Sequence, residues 1–97
     1  MAGRVDFEAR ACRDVDPELF FPVAESGPLY EAQVAQAKAV CAGCPIRAQC
    51  LAFALERLPY GIAGGMTAGE RAAVRRFEVD ARARARREYA ERVRAGA

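Results

Sequence analysis

Three segments of the chain combine a helix-favouring composition with apolar positions at helical spacing, and we predict a helix in each. The first is the Ala-, Gln- and Glu-rich run 30–40. The second is expected over 45–58, because Pro45 suits the first position of a helix and apolar side chains recur after it. The third follows the capping-box sequence 67–70 (Thr-Ala-Gly-Glu) and runs from Ala68 into the low 90s. These segments indicate a small all-α bundle of four or so helices.

The candidate hydrophobic core contains few large side chains. Leu, Ile, Val and Phe together number 20 of the 97 residues, while 22 residues are Ala. We expect Phe20 and Phe21 in the core, beside a short helical turn that Pro17 opens and Asp16 caps. On the last helix three apolar residues are expected to form a packing face: Val74, Phe77 and Ala81. A single domain with so few large core side chains is expected to need an additional stabilising element such as a metal centre.

Four cysteines carry the candidate chemistry: Cys12, Cys41, Cys44 and Cys50. A Cys-x2-Cys pair, a third cysteine after five intervening residues and a distant fourth are typical of tetrahedral zinc or an iron-sulfur cluster. The spacing alone leaves two alternatives open, an iron-sulfur protein and a zinc-stabilised binding module. A third alternative is an apo-form disulfide reductase, although the Cys41–Cys44 pair lacks the strand-helix setting of such enzymes. No targeting or membrane-spanning segment is predicted, so we expect a cytoplasmic protein with reduced thiols.

A glycine-rich turn precedes the predicted last helix. Residues 61–65 (Gly-Ile-Ala-Gly-Gly) predict a tight turn of special backbone geometry. The segment lacks the Lys-Ser/Thr of a phosphate-binding loop and follows a predicted helix instead of a strand, so we do not predict a nucleotide site.

Positive charge concentrates towards the end of the chain. Residues 59–97 hold nine basic and five acidic side chains, whereas residues 1–58 hold six and eight. Four arginines fall within a narrow arc of the predicted last helix: Arg71, Arg75, Arg82 and Arg86. A terminal cluster overlaps this set: Arg82, Arg84, Arg86 and Arg87. Both sets suit contacts with DNA phosphates, and the alternative is a solvent-exposed face on which Glu78 pairs with the arginines.

Three segments carry a specific order and spacing of motifs. They are 11–22 (Ala-Cys-Arg-Asp-Val-Asp-Pro-Glu-Leu-Phe-Phe-Pro), 39–51 (Ala-Val-Cys-x2-Cys-Pro-x-Arg-x2-Cys-Leu) and 61–71 (Gly-Ile-Ala-Gly-Gly-Met-Thr-x2-Glu-Arg). This arrangement closely resembles the WhiB-like (Wbl) transcriptional regulators of actinobacteria and their phages. The resemblance spans about residues 5–77.

The resemblance implies that the four cysteines ligate a [4Fe-4S] cluster sensitive to oxygen and nitric oxide, with the helices organised around it. It also implies that the basic C-terminal segment contacts DNA and that a turn binds the C-terminal domain of the primary sigma factor of RNA polymerase. The corresponding turn residues are Gly61, Ile62, Ala63, Gly64 and Gly65. We therefore expect a non-enzymatic regulator with a cluster-binding domain, 1–77, and a basic helical tail, 78–97.

Two aromatic positions depart from the family pattern. Ala63 stands where the family's turn usually carries Trp, and Phe7 replaces a common upstream Trp. Buried aromatic side chains are frequent interface anchors, so the first departure concerns the sigma-factor contact.

Overall fold

The computed structural model describes residues 5–96 and is all-α, as the sequence predicts. Three α-helices form most of it: α1 is Pro28–Ala42, α2 is Arg47–Arg57 and α3 is Ala68–Gly96. An N-terminal arm, residues 5–27, contains three short 3₁₀ turns: Phe7–Ala9, Ala11–Asp14 and Pro17–Phe20. The expected four or so helices are thus three α-helices and a series of short turns.

The last 3₁₀ turn of the N-terminal arm is fixed against α1. As predicted, Pro17 opens the turn, and the Asp16 carboxylate accepts a hydrogen bond from the Glu18 N–H at 3.0 Å. On α1 the Gln33 side-chain amide donates to the carbonyls of Glu18 and Leu19, each at 3.1 Å. These bonds anchor the arm that carries the first cysteine.

The buried core lies between the N-terminal arm, α1 and the turn that precedes α3. Its members are Phe20, Val34, Ala37, Cys41 and Ile62. The prediction of a buried Phe20 is confirmed, but the prediction for Phe21 is wrong because its side chain is 58% exposed. Phe21 leaves the helical backbone conformation at the end of its turn, with φ −132° and ψ 72°. Its ring therefore lies at the surface, against Gly61.

The connection between α1 and α2 differs from the predicted one. The predicted helix 30–40 is confirmed and extended by α1. The second helix begins at Arg47, two residues after the predicted Pro45, which lies in the preceding turn. Two successive turns occupy this stretch, since the Cys44 N–H donates to the Cys41 carbonyl at 3.0 Å and the Arg47 N–H donates to the Cys44 carbonyl at 3.2 Å.

The predicted capping box begins α3. The Thr67 N–H donates to Glu70 Oε1 at 2.8 Å, and the Glu70 N–H donates to Thr67 Oγ1 at 3.1 Å. Lys38 on α1 adds an ion pair to Glu70 Oε2 at 2.9 Å. The start of α3 is therefore tied to α1.

Helix α3 contains 29 residues and is about 43 Å long at 1.5 Å per residue. Of the three residues predicted to pack, Val74 and Ala81 are half-buried, but Phe77 is 69% exposed, so the prediction for Phe77 is wrong. The helix packs through the side that carries Arg71, and Phe77 lies about 120° around the helix from it. Among residues 5–96, no helix combines the length and apolar character needed to cross a membrane.

Candidate metal centre

The four cysteines come from four different parts of the fold and line one cavity of about 390 Å³. Cys12 lies in the second 3₁₀ turn, Cys41 in the last turn of α1, Cys44 in the connection and Cys50 in the first turn of α2. All four are free thiols. The structure therefore brings the distant Cys12 to the same cavity as the other three cysteines.

Two contacts hold the N-terminal arm over this cavity. The backbone N–H of Ala11 donates to the Cys44 sulfur at 3.3 Å, which places the neighbouring Cys12 beside the connection between α1 and α2. The ring of Phe7 packs edge-to-face on that of Phe53 in α2, with ring centroids 5.2 Å apart. Phe7 thus forms part of one wall of the cavity.

The glycine turn, residues 61–65, forms another wall. Ala63 and Met66 exchange backbone hydrogen bonds of 3.0 and 3.1 Å around Gly64 and Gly65. Both glycines have positive φ, 63° and 84°, a conformation that L-residues with a side chain rarely adopt. A Cβ on Gly64 would lie 2.5 Å from the Leu51 Cα, so the turn approaches the α2 backbone in a way that only glycine permits.

The turn presents N–H groups to the cysteine sulfurs. Burial raises the pKa of Cys41 above its ordinary 9.0, while a hydrogen bond from the Gly65 backbone lowers it. Burial likewise raises the pKa of Cys50, and the Gly64 backbone N–H opposes that effect. Negative charge on the other cysteines raises both pKa values again. The cavity thus supplies donors to sulfur, but four thiolates in it need a positive centre between them.

A donor set of four thiols is suited to zinc or to iron-sulfur clusters. As the side chains stand, no group of three or more His, Cys, Asp or Glu residues between positions 5 and 96 is arranged to hold a metal ion. The four sulfurs instead lie around the wall of a shared space. In composition the site fits a sulfur-ligated metal centre.

Three arginines also line the cavity: Arg10, Arg13 and Arg47. Arg10 donates to the Phe7 carbonyl at 2.6 Å, and Arg13 forms an exposed ion pair with Glu8 at 3.0 Å. These guanidinium groups make the surroundings of the sulfurs favourable to negative charge.

Two of the arginines predicted to contact phosphate have structural roles instead. Arg71 is completely buried and Arg75 is half-buried. Arg75 donates to the Leu55 carbonyl of α2 at 2.9 Å, and Arg71 donates to carbonyls in the loop before α3. The prediction is therefore wrong for this pair, because the loop and α2 wrap around the first turns of α3 and cover one end of the arginine arc.

The remaining predicted arginines are exposed on the free part of α3: Arg82, Arg84, Arg86 and Arg87. The salt-bridged face proposed as the alternative is not formed within residues 5–96, since the ion pairs found there are Arg13–Glu8 and Lys38–Glu70. In the glycine turn, Ile62 is buried and Ala63 lines the cavity. Two aromatic side chains next to that turn, Tyr60 and Phe21, are 78% and 58% exposed.

Sequence reasoning missed two parts of the site, the N–H groups of the glycine turn and the buried Arg71. The Gly64-Gly65 pair was a visible indication of the first, because adjacent glycines allow a close backbone approach. An arginine on a helix gives no comparable indication of burial.

A small all-α fold in which four free thiols line one cavity defines a candidate cysteine-ligated metal protein. The sequence model of the family described as "Transcription factor WhiB" matches residues 7–74. The chain therefore belongs to the WhiB family of transcription factors, which confirms the resemblance found in its sequence.

The chain is also similar to individual transcriptional regulators. It is 50% identical over 74 residues to "Transcriptional regulator WhiB1" of Mycobacterium tuberculosis, an alignment that covers 75% of this chain and 87% of that protein. Identity to "Transcriptional regulator WhiB1" of Bifidobacterium longum is 45% over 84 residues, covering 84% and 90%. Identity to "Redox-responsive transcriptional regulator WhiB3" of Mycolicibacterium smegmatis is 42% over 69 residues, covering 68% and 72%. The chain is accordingly a WhiB-family transcriptional regulator.

Proposed function

We propose that this regulator binds a [4Fe-4S] cluster through Cys12, Cys41, Cys44 and Cys50, and that the cluster responds to oxygen or nitric oxide. The observation that carries the proposal is the convergence of four free thiols from four parts of the fold on one cavity. When bound, the cluster would supply an iron-sulfur core with which oxygen or nitric oxide reacts. The four cysteines would hold it, and the glycine turn and the N-terminal arm would line its surroundings.

The cysteine spacing favours a cluster over a single zinc ion. Structural zinc sites more often use two Cys-x2-Cys pairs. This chain has one such pair, and a proline directly follows its second cysteine, Cys44, as in iron-sulfur sequences. The disulfide-reductase alternative has less support, since burial raises the pKa of Cys41 and a higher pKa leaves less reactive thiolate.

Elemental analysis of protein purified without oxygen tests the proposal. We expect about four iron and four sulfide per chain, little zinc, and visible absorption near 400 nm, the composition and colour of a [4Fe-4S] centre. Cys44→Ala should abolish that absorption, because three sulfur ligands leave one iron open. Ala42→Ser changes the exposed last residue of α1, two positions before Cys44, and is the matched control that should retain the absorption. One zinc per chain without sulfide would instead establish the zinc-stabilised module.

The exposed arginines of α3 support a second part of the proposal, contact with promoter DNA. The proposed basic tail, residues 78–97, continues α3 from the proposed cluster-binding domain, residues 1–77, so both share one helix. Arginine side chains on an exposed helix suit contacts with phosphates.

Salt dependence tests this contact. Arg86→Gln combined with Arg87→Gln should weaken DNA binding and reduce the slope of log affinity against log salt by about 2. The matched control, Arg57→Gln with Arg76→Gln, removes the same charge from exposed positions outside the tail and should have a smaller effect. Equal slopes for the two double variants would refute the assignment.

The glycine turn is the proposed contact with the sigma factor's C-terminal domain. Ala63 offers no large side chain there, but Tyr60 and Phe21 expose aromatic surface beside the turn. Tyr60→Ala should weaken binding to that domain at least tenfold, as expected for an aromatic interface anchor. Tyr89→Ala, at a tyrosine on α3 that is 64% exposed, should not. The protein would then work in the cytoplasm on the transcription machinery, without catalysing a reaction of its own.

A further inference from the structure

Arg71 is the largest fully buried side chain among residues 5–96, with 0% exposure. Its Nη1 donates to the Met66 carbonyl at 2.8 Å. Its Nη2 donates to three more carbonyls, those of Leu58 at 3.0 Å, Tyr60 at 2.9 Å and Gly61 at 2.8 Å. Within the described residues no carboxylate pairs with it, and its Nε has no hydrogen-bond partner. A buried charge without a partner charge is costly, so its presence needs a reason.

The glycine turn lies between Arg71 and the cysteines. Carbonyls at both ends of the turn, from Gly61 and Met66, accept hydrogen bonds from the guanidinium. On its other side the turn borders the sulfur cavity, which Ala63 and Gly64 line, and a Cβ on Gly65 would lie 3.9 Å from the Cys41 Cβ. One peptide segment therefore has a cation on one side and the sulfur cavity on the other.

We propose that Arg71 is a positioning residue for the sulfur cavity, which fixes the glycine turn and supplies the positive charge that favours the more reduced state of the bound cluster. The inference rests on the cluster-binding function proposed above. Four thiolates around a core of charge +2 leave a net charge of −2, and one added electron makes it −3. A buried cation stabilises the more negative state most.

A redox titration of the full-length, cluster-loaded protein tests the assignment. Dithionite supplies one electron to the cluster, and no bond to sulfur forms or breaks. At a fixed potential, Arg71→Gln should lower the ratio of reduced to oxidised protein about tenfold, or about 59 mV for a one-electron couple. A tenfold change corresponds to the interaction of two unit charges about 12 Å apart at an effective dielectric constant near 20.

Two variants separate charge from structure. Arg71→Lys keeps the positive charge but cannot reproduce the guanidinium's hydrogen bonds to four carbonyls. Its ratio of reduced to oxidised protein should stay within about twofold of the wild-type ratio. Arg76→Gln removes an exposed charge one turn further along α3 and should also stay within about twofold, because water screens it. A shift of equal size in Arg71→Gln and Arg76→Gln, or no shift in either, would overturn the assignment.

If an Arg71 variant folds poorly and cannot be titrated, its uptake of the cluster tests the assignment instead. Loss of cluster uptake in both Arg71 variants, with uptake retained in Arg76→Gln, would overturn the electrostatic part and leave Arg71 a structural residue. If Arg71→Gln alone fails to take up cluster and Arg71→Lys titrates like wild type, the need for the charge is supported. Wild-type protein that contains no iron and sulfide would instead refute the proposed function itself.

Discussion

Replacing Gly64 with Ala should destabilise the protein more than the same change at Gly65, although the two residues are neighbours in one turn. Both have positive φ, 63° and 84°. The left-handed conformation costs a residue with a Cβ about 1–2 kcal/mol in either position. The two sites differ in the space that a Cβ would meet.

At Gly64 the added carbon would lie 2.5 Å from the Cα and Cβ of Leu51 and 2.7 Å from its N, whereas at Gly65 the nearest atom is the Arg47 Cδ at 3.5 Å. The Leu51 backbone belongs to α2 and cannot move without shifting the helix. Overpacking of this kind costs about 1–3 kcal/mol. We therefore expect a total loss of about 3 kcal/mol for Gly64→Ala and about 1 kcal/mol for Gly65→Ala.

Equilibrium urea unfolding, followed by circular dichroism at 222 nm, measures this difference. The samples are prepared without oxygen, and variants of equal iron content are compared, so that bound metal does not differ between them. The expected gap of about 2 kcal/mol is well above the effect of typical surface substitutions. A gap below about 0.5 kcal/mol would mean that the turn does not press against α2, and the reasoning about the cavity wall would fail.

Two further substitutions test single contacts, the hydrogen bonds of Glu70 at the start of α3 and the ring contact between Phe7 and Phe53. Hydrogen bonds from the Thr67 backbone and from Lys38 lower the pKa of Glu70 below its ordinary 4.5. The ionised carboxylate therefore stabilises the folded state fully above pH 4.5, and this stabilisation is lost as the pH falls through the lower, folded-state pKa. On acidification, thermal melts should show that the free energy of unfolding falls by about 0.5 kcal/mol more for wild type than for Glu70→Gln. The value is small because the carboxylate is half-exposed. Equal losses of unfolding free energy in the two proteins would contradict this prediction. Phe53→Ala removes the edge-to-face contact with Phe7 and should cost about 2 kcal/mol, against less than about 0.5 for the exposed Phe77→Ala. Equal unfolding midpoints for the two phenylalanine variants would show that the arm is not held by this contact.

Local signals in the sequence were sufficient to place the two capped starts, those of the 3₁₀ turn at Pro17 and of α3 at Ala68. The side chains of Asp16 and Thr67 accept hydrogen bonds from backbone N–H groups two and three residues further along the chain. Such a cap depends only on a few neighbouring residues, so the local sequence predicts it. Pro45 shows the limit of such reasoning, because proline suits a turn as well as a first helical position and the two successive turns after Cys41 decided between them.

The parts that could not be predicted depend on contacts distant in sequence. Helical periodicity showed that Arg71 and Arg75 share an arc with later arginines, but not that the loop before α3 would fold its carbonyls around one end of that arc. The burial predictions for Phe21 and Phe77 were wrong for a related reason. The apolar character of a side chain does not show whether other parts of the fold cover the side of the element on which it lies. The sequence predicted the four cysteines as one ligand set, which stays a prediction, whereas their common cavity depends on the arm, whose Ala11 N–H reaches the Cys44 sulfur.

The site and the core are parts of one structure in this molecule. Cys41 belongs to the buried core with Phe20 and Ile62, and it also lines the cavity of the four cysteines. Protein interiors are close-packed, so a change in what occupies the cavity is felt by the core side chains around Cys41. Ile62 lies in the glycine turn, which Arg71 joins to the start of α3. A change at the sulfurs therefore has a continuous path of packed and hydrogen-bonded groups to the helix that carries the exposed arginines.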